Sequence, residues 1–200
     1  KTQSRQNASQ ALLITMAGGT ALLAGFVLLH QNLGSASIST LLSSPPETLN
    51  TAAVILIMLG AMTKSAQWPF HFWLPNAMVG PTPVSAYLHS ATMVKAGVFL
   101  MGTLAPVMSA HPIWTPTLVT AGLLTVASAI LRGARATDLK ALLACTTLAA
   151  LGFLTILAGL GTPAAMLGFV IFLTAHALYK APLFLAAGHL DKRFGTRASL

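Results

Sequence analysis

Charge is what this sequence has least of. Only 7% of its 200 residues are Asp, Glu, Lys or Arg, against about a quarter in an ordinary soluble domain, so a water-exposed fold is excluded at the outset. Acid is scarcer still, with three Asp+Glu against 11 Lys+Arg and a formal charge of +8. The basic residues are isolated points in a chain that is 55% hydrophobic, with a mean hydropathy of +0.77. They form no stripe that could follow a nucleic acid. The single cysteine, Cys145, excludes an intrachain disulfide and a thiolate cluster for zinc or iron and sulfur, and no cofactor or metal is expected. No paired carboxylates and no Ser/His/Asp arrangement stand out. The chain opens at Lys1 and stops at Leu200 soon after an apolar run, which implies a piece of a longer protein. Lacking low-complexity linkers and repeats, residues 1–200 read as a single membrane domain.

What is there is a series of apolar runs. A membrane-spanning helix needs about 20 mostly apolar residues, and about six such spans are expected: 11–30, 51–79, 84–104, 117–131, 142–160 and 165–187. The fold class is therefore all-α, a polytopic transmembrane helix bundle in the lipid bilayer. The first span places Ala17, Ala21 and Gly25 at four-residue spacing, a pattern that admits a close helix neighbour. The second is discontinuous: after Met62 come Lys64, Ser65 and Gln67, then Pro69, Pro75, Pro81 and Pro83, which a continuous helix does not tolerate. Lys and Arg gather in alternate connections, with Lys1 and Arg5 before the first span, Arg132, Arg135 and Lys140 between the fourth and fifth, and Lys192, Arg193 and Arg197 after the sixth. By the positive-inside rule those connections are cytoplasmic, so a multi-pass protein of the cell membrane with both ends cytoplasmic is expected. Thr137 or Asp138 is the expected N-cap of the fifth helix.

Against this background the polar residues at mid-depth stand out. Lys64 falls at the break, Lys95 in the third span and Lys180 in the sixth. A charge at the bilayer centre costs about 2.5–3.5 kcal/mol on insertion scales, and a lysine stem does not span the roughly 15 Å from mid-helix to either face. The bland alternative is a lysine that snorkels or pairs structurally. His176 lies four residues before Lys180 and shares its helix face, close enough for proton exchange directly or through one water. His89 lies six residues before Lys95, about 120° away around a continuous helix; for either histidine the bland reading is a neutral ring bonded to a backbone carbonyl. Imidazole titrates nearest neutral pH, and desolvation favours a neutral amine, so the five groups are candidates for a proton relay. No Asp or Glu falls inside a span: Glu47 sits in a connection, and Asp138 and Asp191 sit at helix ends. Three charged lysines would be uncompensated, so some are neutral or a carboxylate comes from outside this chain. Trp68, Phe70, Phe72 and Trp73 around His71 read as membrane anchors or helix packing rather than a stacking site.

The segment Lys64-Ser-Ala-Gln-Trp-Pro-Phe-His-Phe-Trp-Leu-Pro-Asn-Ala-Met, continued by Gly80-Pro-Thr-Pro-Val-Ser-Ala-Tyr-Leu-His-Ser-Ala-Thr-Met-Val-Lys-Ala-Gly97, resembles the antiporter-like membrane subunits shared by Mrp-type sodium/proton antiporters and respiratory complex I. Met-Val-Lys95-Ala-Gly, Asp138-Leu-Lys-Ala-Leu-Leu-Ala, Thr146-Thr147, Leu151-Gly152, His176-Ala-Leu-Tyr-Lys180 and Gly195-Thr-Arg197 resemble the A-type subunit of the Mrp branch in particular. Phe172 stands where many complex I relatives have a second histidine, and Cys145 and Ala149-Ala150 where they have Tyr and Ser-Gln; both departures favour the Mrp branch. The resemblance implies helices six to eleven of a fourteen-helix fold built from two inverted repeats. It implies a glutamate partner for Lys64 on a helix outside this chain, and a central hydrophilic axis on which Lys64, His89, Lys95, His176 and Lys180 relay protons. The function it implies is proton translocation in a multisubunit Na+/H+ antiporter, with other membrane subunits as partners and protons and Na+ as the ions. The alternatives are a proton-pumping subunit of complex I or a membrane-bound hydrogenase, which would make the chain part of an enzyme, and a non-conducting scaffold subunit whose lysines only hold interhelical contacts.

Overall fold

Apolar runs become long helices because backbone polar groups in lipid find partners only within their own helix. The computed structural model describes residues 2–33, 37–43, 49–79, 82–90 and 92–194; the expectations attached to Lys1, Glu47, Gly80, Pro81, Gly195 and Arg197 lie outside the described residues. In chain order the helices are α1 (Thr2–Leu33), α2 (Ile38–Ser43), α3 (Thr51–Lys64), α4 (Trp73–Asn76), α5 (Thr82–Ser90), α6 (Met93–Met108), α7 (Trp114–Gly133), α8 (Leu139–Leu160) and α9 (Pro163–Phe194), with 3-10 turns at Phe70–Phe72 and Ala77–Val79. Five stretches are long and apolar enough to cross a membrane, one of them formed by α5 and α6 together, and α3 is a shorter apolar helix. With the broken passage from α3 to α4 this makes the expected six. The exterior carries Leu13, Leu23, Leu131 and Leu178 at 64% exposure or more, while Lys95, Lys180, His89 and His176 are buried, the reverse of a soluble protein.

The ends of the helices agree with the charge pattern. Lys140 at the start of α8 pairs with Asp191 at the end of α9 (3.1 Å). Asn76 of α4 donates to Gln10 of α1 (3.3 Å), and Asn7 donates to the Asn76 carbonyl (3.1 Å), so the broken span also reaches the charge-rich end. At the opposite end Thr51 bonds His111 (3.2 Å). Asp138 is the N-cap of α8, accepting from Ala141 N at 2.8 Å, as expected, and Gly161 closes that helix at φ 61°, where a glycine is unstrained.

Two breaks shape the interior. The first ends α3 sooner than the prolines require. Gln67 N bonds the Met62 carbonyl (2.9 Å) and Ala66 N the Thr63 carbonyl (3.4 Å), with Ala66 at φ 49°. This is a Schellman cap with alanine in the left-handed position usually held by glycine, a conformation costing about 1–2 kcal/mol for an L-residue. The Trp73 indole then donates to the Thr63 carbonyl (3.1 Å), and Trp68 N to the Thr125 hydroxyl of α7 (2.8 Å). The second break was not expected: the third span is not continuous over 84–104, because α5 stops at Ser90 and α6 begins at Met93. Thr92 joins them. Its hydroxyl donates to the Tyr87 and Leu88 carbonyls (3.1 and 3.4 Å), and its own carbonyl accepts from Lys95 N (2.9 Å), so one residue satisfies groups that both helix ends leave free. Beyond it α5 packs on α9, and α6 on α3 and α8.

The close approach of α1 to α3 falls on Gly18, Leu22 and Gly25, not on Ala17 and Ala21; Ala17 faces outward. A Cβ on Gly60 of α3 would stand 2.6 Å from the Gly18 carbonyl oxygen and 2.6 Å from the Leu22 Cβ. Both obstacles are near-rigid parts of α1. Gly60→Val should therefore force the helices apart and destabilise the protein by about 1–3 kcal/mol, the usual range for overpacking, seen as a lower melting temperature of the detergent-solubilised protein. An unchanged melting temperature would show that the two helices do not meet here.

Candidate functional site: a buried array of amines and imidazoles

Lys64, Lys95 and His176 share one register along their helices. Each is thirteen residues from the end of its helix at the charge-poor side, counted from Thr51, Met108 and Pro163, or about 20 Å at 1.5 Å per residue. Lys180 is one turn deeper on α9. Two routes lead them inward: α9 presents His176 and Lys180 on one face at four-residue spacing, and the break at Thr92 lets α5 and α6 deliver His89 and Lys95 from different directions. The angle expected from a continuous helix therefore does not apply to His89 and Lys95.

His89 and His176 are 0% exposed, Lys180 1% and Lys95 7%. Both ring nitrogens of His89, both of His176 and the Lys95 amine have no hydrogen-bond partner among the described residues. The carbonyl-bonded histidine expected under the bland reading is thus not what is found. The His89 ring stacks instead on Phe184 of α9 (centroids 4.9 Å apart), and His176 meets the ring of Tyr179 edge-on at 5.3 Å. Phe184 is four residues past Lys180, and Leu173, which lines a cavity with Lys95, is three residues before His176, so His89 and Lys95 both lie against the stretch of α9 that carries the pair. A cavity of about 430 Å³ adjoins Lys95, lined also by Thr92, Ala96, Phe99 and Leu173.

Lys180 is held differently. Its amine donates to the Leu143 carbonyl (3.0 Å) and to the Thr146 hydroxyl (2.5 Å), both on α8. Lys64 stands on another side of the array. It is half-buried, and its amine lies toward α1, 3.6 Å from where a Cβ on Gly19 would be. Its chain neighbour Ser65 packs against Gly97 of α6, two residues past Lys95. Ser65 Oγ and Gln67 Oε1 are buried without partners among the described residues, so the break adds two polar atoms next to Lys64. The structure thus gathers His89, Lys95, His176 and Lys180, and places Lys64 behind the α3–α6 contact. Thr146 and Thr92 have no role that the sequence alone suggests; a hydroxyl directly beside a break or facing a mid-depth lysine was the available signal. Among the described residues no group of three or more His, Cys, Asp or Glu could hold a metal ion.

Fold and site together define a multi-pass membrane protein with a line of ionisable groups sealed between its helices. The chain belongs to the NADH:quinone oxidoreductase/Mrp antiporter transmembrane family, whose model matches residues 1–199. It is 46% identical over 198 residues to the A/B subunit of a probable K(+)/H(+) antiporter of Rhizobium meliloti, covering 97% of this chain and 20% of that one. It is 41% identical over 215 residues to the A subunit of the Na(+)/H(+) antiporter of Alkalihalophilus pseudofirmus, covering 98% and 27%. Its fold matches a chain of the Mrp complex from Dietzia sp. with a TM-score of 0.91 and 41% identity, over 99% of this chain and 22% of the other. It also shares the fold of a chain in an archaeal membrane-bound sulfane sulfur reductase, at a TM-score of 0.88 and 22% identity, over 98% and 42%. The chain spans between 20% and 27% of the length of these two antiporter subunits.

An unpartnered amine buried at this depth costs stability. Lys95→Met removes the charge and keeps the length of the side chain, so it should raise the melting temperature of the solubilised protein, against the usual sign for a buried substitution, by up to the roughly 2.5–3.5 kcal/mol such a charge costs. A lower melting temperature would mean that the amine has a stabilising partner.

Proposed function

We propose that this chain is the proton-conducting part of an Mrp-type A subunit, one of several membrane subunits of a Na+/H+ antiporter in the cell membrane. The observation that carries the reading is the set of four ionisable groups on α5, α6 and α9, shielded from solvent along one stretch of α9. A purely structural set would have its hydrogen bonds satisfied. Here both imidazoles and one amine keep free nitrogens, which is what groups that accept and release protons in turn require. The names of the relatives supply the ions, and the shared fold supplies the setting.

In this reading Lys64 is the charge switch, Lys95 and His89 form the connecting relay, and His176 and Lys180 take the next step. Like charges in a medium of low dielectric oppose one another strongly. A proton arriving on Lys95 therefore makes a second charge on Lys180 or His176 harder to keep, and the proton already there moves on. Lys64 starts the sequence through its partner: the family resemblance implies a glutamate on a helix outside this chain, whose strengthening or loss sets the charge next to Lys95.

Lys64→Ala should abolish Na+-driven proton movement in inverted membrane vesicles while the complex still assembles. Exchange at the parental rate in vesicles with equal assembled protein would rule out the switch. If Lys64→Met and Lys95→Met instead lower the amount of complex but leave transport per complex unchanged, the chain is a scaffold.

A further inference from the structure

The pair Thr146-Thr147 has no part in the proton relay itself, yet both hydroxyls converge on the atom that receives Lys180. The Leu143 carbonyl accepts from Thr146 Oγ1 (3.0 Å), from Thr147 Oγ1 (2.9 Å) and from Lys180 Nζ (3.0 Å), and Thr146 Oγ1 lies 2.5 Å from the same amine. We propose that Thr146 is a positioning residue for Lys180: with the Leu143 carbonyl it forms a seat that keeps the amine in place both with and without its extra proton. This inference rests on the reading of Lys180 as a member of the proton relay.

The chemistry of the seat follows from its donors and acceptors. An ammonium offers three N–H groups and no acceptor, so it needs oxygens with free lone pairs. Thr146 provides one because its own proton is directed to Leu143, and Leu143 provides the second. Once the amine has given up a proton it carries a lone pair and wants a donor. The Thr146 hydroxyl can turn from Leu143 to the amine, and the Leu143 carbonyl remains bonded by Thr147. The amine keeps both oxygens as partners in either state, and Thr147 keeps the Leu143 carbonyl bonded when the Thr146 proton turns away, which is a use for two threonines where one would serve a static contact. A carboxylate in the same place would hold the ammonium and resist its discharge. Of the charged and titratable groups around Lys180, His176 and Tyr179 share its helix, His89 of α5 stacks on Phe184 one turn along it, and Lys95 of α6 lies beside Leu173; the hydrogen bonds of Lys180 to α8 go to neutral oxygens.

Hydroxyls that bond a carbonyl three or four residues back are common in helices for reasons unrelated to function, so the test separates that role from the seat. In the assembled full-length complex, Thr146→Val should lower the antiport rate per complex about tenfold, the order expected for losing one hydrogen bond to a charged group, while Thr146→Ser should stay near the parental rate. Thr146→Val should also lower the melting temperature of the parent complex but not that of Lys180→Met, where there is no amine to seat. Should the valine variant not assemble, Thr146→Ala serves in its place. Parental rates in Thr146→Val, a serine variant as impaired as valine, or an equal melting shift in the Lys180→Met background would each overturn the seat. Parental transport in Lys180→Met would remove Lys180 from the relay and the seat with it, whereas an inactive Lys180→Met beside a fully active Thr146→Val would overturn the seat alone.

Discussion

The interior of this bundle depends on keeping Lys95 and Lys180 out of water with no carboxylate paired to them among the described residues. Lys95 and Lys180 are both buried, and transfer of an isolated ammonium into an apolar medium is prohibitive unless neutral dipoles replace water or the group discharges. The chain supplies neutral dipoles where its helices end or carry hydroxyls. Thr146 and the Leu143 carbonyl receive Lys180, Thr92 stands beside Lys95 in one cavity, and Ser65 and Gln67 accompany Lys64. Partial compensation of this kind leaves the charged and neutral forms close in free energy. A full ion pair would fix one of them.

The breaks that bring these groups together are surrounded by contacts of the opposite character. Gly122 of α7 and Gly152 of α8 face one another so closely that a Cβ on either would come within 2.8 Å of the other's carbonyl oxygen. The Trp114 indole and the Thr115 hydroxyl then bond the Ala158 and Gly159 carbonyls (3.2 and 2.8 Å). Close backbone approach and interhelical hydrogen bonds are the means of holding helices together in lipid, where burial of apolar surface gives little advantage. α7 with α8 and α1 with α3 thus make two rigid pairs. Beside them α5 is held to α9, where a Cβ on Gly188 would run into Thr82 Cγ2. The strained Ala66 and the free polar atoms lie at the junctions, where departures from local preference gather in functional regions.

Much of this was legible in the sequence because lipid imposes length and composition together. The six spans, the common side of the Lys and Arg connections, the Asp138 cap and the presence of a break after Lys64 follow from apolar run length, charge and proline. The exact mode of the breaks does not. Ala66 occupies a left-handed position that glycine would have announced, and the gap between α5 and α6 is Ala91-Thr92, two residues that a helix normally tolerates. The helix face of α1 was displaced by one residue, since Ala17 and Gly18 are both small and only the partner Gly60 decides between them. His89, Lys95, His176 and Lys180 were visible as charges or imidazoles in apolar surroundings. Thr146 was not, because threonine is ordinary in a membrane helix until a lysine 34 positions away is found against it.

The common register of Lys64, Lys95 and His176 along their helices bears on what the proposed relay can do. A charge that moves sideways at constant depth crosses almost none of the membrane potential, which is worth about 2.3 kcal/mol per charge for each 100 mV traversed along the normal. Lateral steps therefore transmit energy without themselves capturing it. The work is done where protons enter and leave, and the relay's task is to make one of those events depend on the other. Mutual repulsion between neighbouring amines does this without any large movement of helices. It requires that the amines be near enough to feel one another, too far apart to share a hydrogen bond, and separated from bulk water. Two helices that end inside the bundle meet all three conditions: they bring His89 and Lys95 to the face of α9 that carries His176 and Lys180, while the glycine-packed pairs on either side keep the rest of the bundle closed.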